Sequence, residues 1–240
     1  MDAVDDLALL RREGDALLAA ATDLDAPVEG CPGWDVAELV WHVAALHHFW
    51  AAVVADRVTD ADEARRLRRS PPPRPERADL SAFAAERLDR LVEVLSATDP
   101  ATPVWSWTDR RDVGFVRRRM AQETMVHRWD AESVGGRTPQ RFEPAAAADG
   151  VDEFLEHFTP RRRADRPQLR ANVHLHATDT PGEWIVEPGE DGLTVRREHT
   201  KGDAAVRGPA GDLLLVLWGR RPLDGLDVLG DRSAAEALVA

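Results

Sequence analysis

Glu123 and His127 stand four residues apart in Gln122-Glu123-Thr124-Met125-Val126-His127-Arg128-Trp129-Asp130. On a helix that spacing stacks a carboxylate and an imidazole on one face. Their row runs through Val116 and Met120 in one direction and Ala131 and Val134 in the other, so both polar groups fall inside an apolar stripe. A buried carboxylate without a partner is costly, and a metal, a cation or a hydrogen-bond network has to compensate it. His42 is a candidate partner, because it shares the row Leu39, His42, Leu46, Phe49, Val53 of an apolar helix and should point inward. Two imidazoles and a carboxylate from two central helices suit zinc. Three protein ligands leave the fourth position open to water or substrate, the pattern of a catalytic site. Nickel, cobalt and iron accept the same ligand types. Spacing alone leaves an alternative open: His42 and His127 are hydrogen-bonded core histidines, and Glu123 pairs with Arg118 or Arg119.

Other reactive side chains fit plainer roles. His47 and His48 lie on different rows from His42 and read as packing or surface residues. His174 and His176 alternate along a strand and could chelate a metal at i, i+2, but solvated residues on the outer face are the simpler expectation. Cys31 sits in a loop with no evident base beside it. Asp130 either orients the His127 ring or pairs with Arg128 or Arg137. Arg117 to Arg119 read as a solvated charge run. Trp105 and Trp107 lie in a connector and could wall the site.

These residues need a scaffold of helices. Leu7, Leu10, Leu17 and Leu18 recur at helical spacing between Asp2 and about Ala21. After the Pro- and Gly-rich loop Pro27–Gly33, Asp35 offers an N-cap with Glu38 three residues on, a capping-box pattern that starts a helix to about Asp56. That helix is apolar over most of its circumference, as the centre of a bundle requires. Arg65 to Arg77, with Pro71, Pro72, Pro73 and Pro75 inside it, reads as a connector. Leu80 to Leu95 makes a third long helix and Val113 to Val134 a fourth, giving a four-helix bundle. Gly135-Gly136-Arg137-Thr138-Pro139 breaks the pattern, placing the domain boundary at about residue 140. Pro144 to Phe158 reads as a helix. Period-two alternation over Leu169 to Leu175, then Trp184–Val186, Leu193–Val195 and Ala204–Val206, gives four short strands. A helix follows Pro209, and Ser233 to Val239 closes the chain as another. The fold class is therefore α+β in two domains, residues 1–140 and 141–240, the second with a small antiparallel sheet.

A net charge of −12 over 240 residues leaves no basic excess to neutralise phosphates, which argues against a nucleic-acid partner. Cys31 is the single cysteine, so neither an intrachain disulfide nor a thiolate-built structural zinc site is available. No apolar run approaches the ~20 residues that span a bilayer, and the acidic N-terminal residues Asp2, Asp5 and Asp6 do not resemble a secretory signal. The expectation is a cytoplasmic protein with small-molecule partners and an open oligomeric state.

Gly33-Trp34-Asp35-Val36-Ala37-Glu38-Leu39-Val40-Trp41-His42, taken with Gln122 to Asp130, resembles the mycothiol-dependent maleylpyruvate isomerase family, which shares its helical bundle with DinB-like proteins. Residues 210–221 and 228–231 are similar to the C-terminal domain of that family, related to sterol-carrier folds, so the resemblance covers most of the chain. It implies a zinc site made by His42, Glu123 and His127, with mycothiol as thiol co-substrate. It also implies that an arginine of the C-terminal domain reaches the active site, for which Arg220 or Arg221 is the best match by position. The expected activity is thiol-dependent S-transfer to, or cis–trans isomerisation of, a small electrophilic substrate. A non-catalytic metal-binding protein of the DinB fold and a carrier of small apolar ligands are the rival readings.

Overall fold

The computed structural model describes residues 4–159, 168–189 and 192–239. The chain forms two compact units, one of Asp5–Gln140 and one built from Arg141 onward.

In the first unit, α1 (Asp6–Ala20), α2 (Val36–Ala55), α4 (Leu80–Ala97) and α5 (Val113–Glu132) are the long helices, and α3 (Ala61–Arg69) is a short one. Helix α1 packs most extensively on α5, and α2 on α4; α1–α4 and α2–α5 contacts complete the ring. Aspartates start four of these helices. Asp5, Asp35, Asp60 and Asp112 each accept backbone N–H bonds from the first turn, satisfying donors that the helix cannot satisfy itself. The Asp35 cap is as expected, but the Glu38 carboxylate pairs with Arg74 at 2.5 Å. The core between α1, α2, α4 and α5 gathers Leu17, Val36, Leu39, Val40, Val43, Leu80 and Ala131. Cys31 joins it from the Pro- and Gly-rich loop.

The connector expected over Arg65–Arg77 is partly helical. Asp60 caps α3, acidic Asp62 and Glu63 occupy its first turn, and Arg66, Arg68 and Arg69 its last, the charge order that the helix dipole favours. Only Ala64 of α3 is buried, so charge masked the periodicity. Pro71–Pro75 carries no regular element.

In the second unit, α6 (Pro144–His157), α7 (Ala210–Leu217) and α8 (Arg232–Val239) accompany a sheet in the order β3-β2-β1-β4-β5. The strands are β1 (Val173–Ala177), β2 (Glu183–Gly189), β3 (Gly192–Arg196), β4 (Ala204–Gly208) and β5 (Asp227–Gly230). Val173 and Leu175 oppose Val186 and Trp184 in the β1–β2 ladder. Their face is buried with Val206, and the Trp184 indole donates to Asp152 of α6 at 2.5 Å.

The sheet is mixed, where an antiparallel one was expected. β1 and β4 pair in parallel, Val173 with Ala204 and Leu175 with Val206, while the other three ladders are antiparallel. The reason is topological: β4 does not turn back on β3 but crosses β2 and β1 to pair on the far side of the sheet. Strand β5, which the sequence pattern did not announce, then closes that edge on β4.

Candidate functional site

Helices α2 and α5 bring His42, Glu123 and His127 together. The Glu123 Oε1 atom lies 3.2 Å from His42 Nε2 and 3.3 Å from His127 Nε2. The rings of His42 and His127 meet edge to face at 5.2 Å between centroids, and the Trp34 indole stands 4.8 Å from the His42 ring. Trp34 follows Gly33, whose φ of +85° is a left-handed turn that a side chain would strain. That turn delivers the indole to the two histidines immediately before α2 begins.

The alternatives left open by spacing are both present in part. Arg119, one turn before Glu123, is 2 % exposed and its guanidinium pairs with Glu123 Oε2. The expectation of a solvated run over Arg117–Arg119 is thus corrected: Arg117 is spent on the Leu95 and Thr98 carbonyls at the end of α4, and Arg119 is a buried counter-charge. Glu123 therefore offers one oxygen to an arginine and the other to two imidazoles.

Asp130 does orient His127, accepting from Nδ1 at 2.9 Å and leaving Nε2 to face Glu123. A carboxylate on the far ring nitrogen fixes the tautomer and raises the basicity of the near one. Arg128 goes elsewhere, into a buried network with Glu13 and Glu132. Cys31 Sγ lies 3.5 Å from Asp130 Oδ2, so the loop cysteine is buried against the carboxylate that holds His127. His47 is 2 % exposed and shares a hydrogen bond with Thr124 at 3.0 Å. Trp105 and Trp107 do not wall the site; they cluster with Trp50, Phe49 and Phe115.

The electrostatics follow from these partners. Burial raises the Glu123 carboxyl, but the Arg119 charge and hydrogen bonds from His127 and His42 outweigh it and hold the group well below the usual carboxylate range. Burial lowers His127, and the bonds to Asp130, Cys31 and Glu123 more than reverse that, so its proton is held well above the usual histidine range. His47 goes the other way: burial pushes it down to about 3, and it is a neutral ring.

His42 also faces a cleft of about 310 Å³ lined by Trp34, Trp41, Phe49 and Arg68. Arg68 lies over the Phe49 ring at 5.5 Å, and Arg74 over Trp41 at 5.7 Å. Sequence reasoning passed over Arg68; the only signal for it was the helical period inside a segment dominated by charge. Arg220 and Arg221 belong to the second unit. Arg220 donates to the Trp218 carbonyl at 2.9 Å, and Arg221 pairs with Asp212.

Fold and site together define a two-unit α+β protein whose helical unit presents two imidazoles and a carboxylate beside a cleft. Residues 7–132 match the family model described as mycothiol maleylpyruvate isomerase N-terminal domain, and residues 145–237 match the MDMPI C-terminal domain. The chain belongs to the mycothiol maleylpyruvate isomerase family. Crystal structures of the mycothiol-dependent maleylpyruvate isomerase and of a point mutant of it superpose with TM-scores of 0.63 and 0.66. Sequence identities are 14 % and 12 %, over 93 % of this chain and 91 % of those chains. No curated protein sequence matches.

Proposed function

We propose that this protein is a metal-dependent enzyme that uses mycothiol for cis–trans isomerisation of, or S-transfer to, a small electrophilic substrate. The observation that carries this reading is the convergence of His42, Glu123 and His127, whose ligating atoms lie within 4.8 Å of one another beside a cleft. The separations of 3.2 and 3.3 Å from Glu123 fit a tetrahedral ion, whose ligand atoms stand about 3.3 Å apart when its bonds are ~2.0–2.1 Å long. The donor chemistry also fits: two imidazoles and a carboxylate suit zinc or a neighbouring divalent metal. Such a cation supplies positive charge that favours the thiolate form of an incoming thiol.

The protein's own residues supply the rest. Asp130 holds the His127 ring in orientation, and Arg119 keeps the Glu123 carboxylate ionised. Trp34, Trp41 and Phe49 give the cleft apolar walls, and Arg68 puts a cation on its lining that can receive an anionic substrate. Membership of the family supports the choice of mycothiol over other thiols. Arg220 and Arg221 are proposed as further substrate-binding groups on position in the family pattern.

The test is metal analysis of the full chain followed by calorimetric titration with mycothiol. The expected result is stoichiometric metal that is lost from the helical site in His127→Ala, with thiol binding that requires the metal. Full metal retention at that site in His42→Ala, Glu123→Ala and His127→Ala overturns the site. Absence of binding at millimolar mycothiol by the metal-loaded protein overturns the thiol.

A further inference from the structure

The second unit holds another donor cluster that none of the foregoing uses. His174 and His176 are alternate residues of β1 and share one face, Glu183 begins β2, and His199 follows β3. Their ligating atoms lie within 4.8 Å of one another. Glu183 Oε2 is 3.0 Å from His174 Nε2 and 2.5 Å from His199 Nδ1, and Glu183 Oε1 is 3.3 Å from His176 Nδ1. The register makes this arrangement obligatory for two of them, because His176 and Glu183 are directly opposed in the antiparallel ladder.

Solvated histidines on an outer strand face would be the ordinary account, and it fails for His174. That residue is only 7 % exposed. The chain between β3 and β4 has to cross β2 and β1, and it crosses over the face that carries His174 and His176. Gly202 marks how close it comes: a side chain there would meet the His174 amide nitrogen and the Asn172 carbonyl at 3.0 Å. His199 rides on this crossover, its ring 5.8 Å from that of His174. The partner choice is also unusual. Outside the helical site, carboxylates pair with arginine in Arg11–Asp89, Arg128–Glu13 and Arg232–Asp224. Glu183 instead faces three of the chain's eight histidines, and imidazoles, unlike guanidinium groups, can give up a proton and donate a lone pair.

We propose that His174, His176, Glu183 and His199 form a second metal site, for a divalent transition ion of the zinc class, which fastens the β3–β4 crossover to the sheet. Three imidazole nitrogens and one carboxylate oxygen are the borderline ligands that zinc, nickel and cobalt accept, and no thiolate is needed. Four protein donors fill a tetrahedral shell, the closed coordination of a structural site and not the open one of a catalytic centre. The bound ion ties His199 of the crossover to two strands that the backbone ladder already pairs.

The experiment uses the full chain stripped with chelator and titrated with Zn²⁺ and, separately, Co²⁺. In a His42→Ala, Glu123→Ala, His127→Ala background one equivalent of Zn²⁺ still binds, and Co²⁺ gives the intense visible bands of tetrahedral coordination. His199→Ala, whose side chain is 82 % exposed and dispensable for packing, abolishes that spectrum in the same background. Zn²⁺ also slows tryptic cleavage at Lys201 within the crossover, and the His199→Ala change removes the protection. A background variant that takes up no Zn²⁺, a Co²⁺ spectrum unchanged by His199→Ala, or cleavage at Lys201 indifferent to Zn²⁺ overturns the proposal. None of these readouts depends on the helical site.

Discussion

The two histidine–carboxylate clusters use similar side chains and differ in what surrounds them. In the helical unit Glu123 is neutralised by Arg119, His127 is held by Asp130, and the donors number three. In the sheet unit Glu183 has histidines for partners, the donors number four, and His199 is largely exposed. The first is held in place by surrounding charge; the second, in the role proposed for it, would be closed by the ion itself. In the roles proposed for them, preorganisation by neighbouring charge is what would separate the site for chemistry from the site for fastening.

Removing the counter-charge is the strongest way to break this comparison. Arg119→Met takes the guanidinium from Glu123 Oε2 and leaves the carboxylate to His42 and His127 alone, and should cost about 1.5–3 kcal/mol of stability in the metal-free protein, measured by urea unfolding. Loss below 1 kcal/mol would mean that Glu123 is not held by Arg119. The next effect is pH-dependent. His47 titrates at about 3 when folded against 6.5 when unfolded, so the unfolded chain binds the extra proton between those values. Stability from this group is full above pH 6.5 and falls as the pH drops, by roughly 1.4 kcal/mol per pH unit. In His47→Gln that part of the acid sensitivity should vanish, and an unchanged pH profile refutes the burial assignment.

Asp130→Asn should weaken metal binding at the helical site by about 10–100-fold, read by competition with a chromophoric chelator, and leave the sheet site untouched. Arg68→Ala should raise the KM for an anionic substrate several-fold with kcat little changed, the pattern of lost uniform binding. The smallest effect belongs to the sheet unit without metal. Glu183→Gln there should shift stability by less than about 1 kcal/mol, in contrast to Arg119→Met.

Much of the helical site could be read from the chain because helices report their faces locally. The row Leu39, His42, Leu46 and the pair Glu123, His127 carry their orientation in their spacing, and α2 and α5 brought them together. Arg119 has the same i, i+4 relation to Glu123, but within Arg117-Arg118-Arg119 it looked like solvated charge; burial is a property of the packed bundle and not of the run. In the sheet unit the period-two signal located β1 without showing what would cover it. The β3–β4 crossover set the parallel β1–β4 pairing, buried His174 and delivered His199, and a crossing of that kind leaves no local pattern in the residues that make it.

The chain separation between ligands has a consequence for the order in which the protein could take up metal during folding. His42 and Glu123 are 81 residues apart, whereas His174 and Glu183 are 9 apart. Closing the longer loop in a disordered chain costs about 2 kcal/mol more. An ion offered to the complete unfolded chain would therefore be gathered first by the proposed sheet site, and the proposed helical donors would meet only after α2 and α5 have docked.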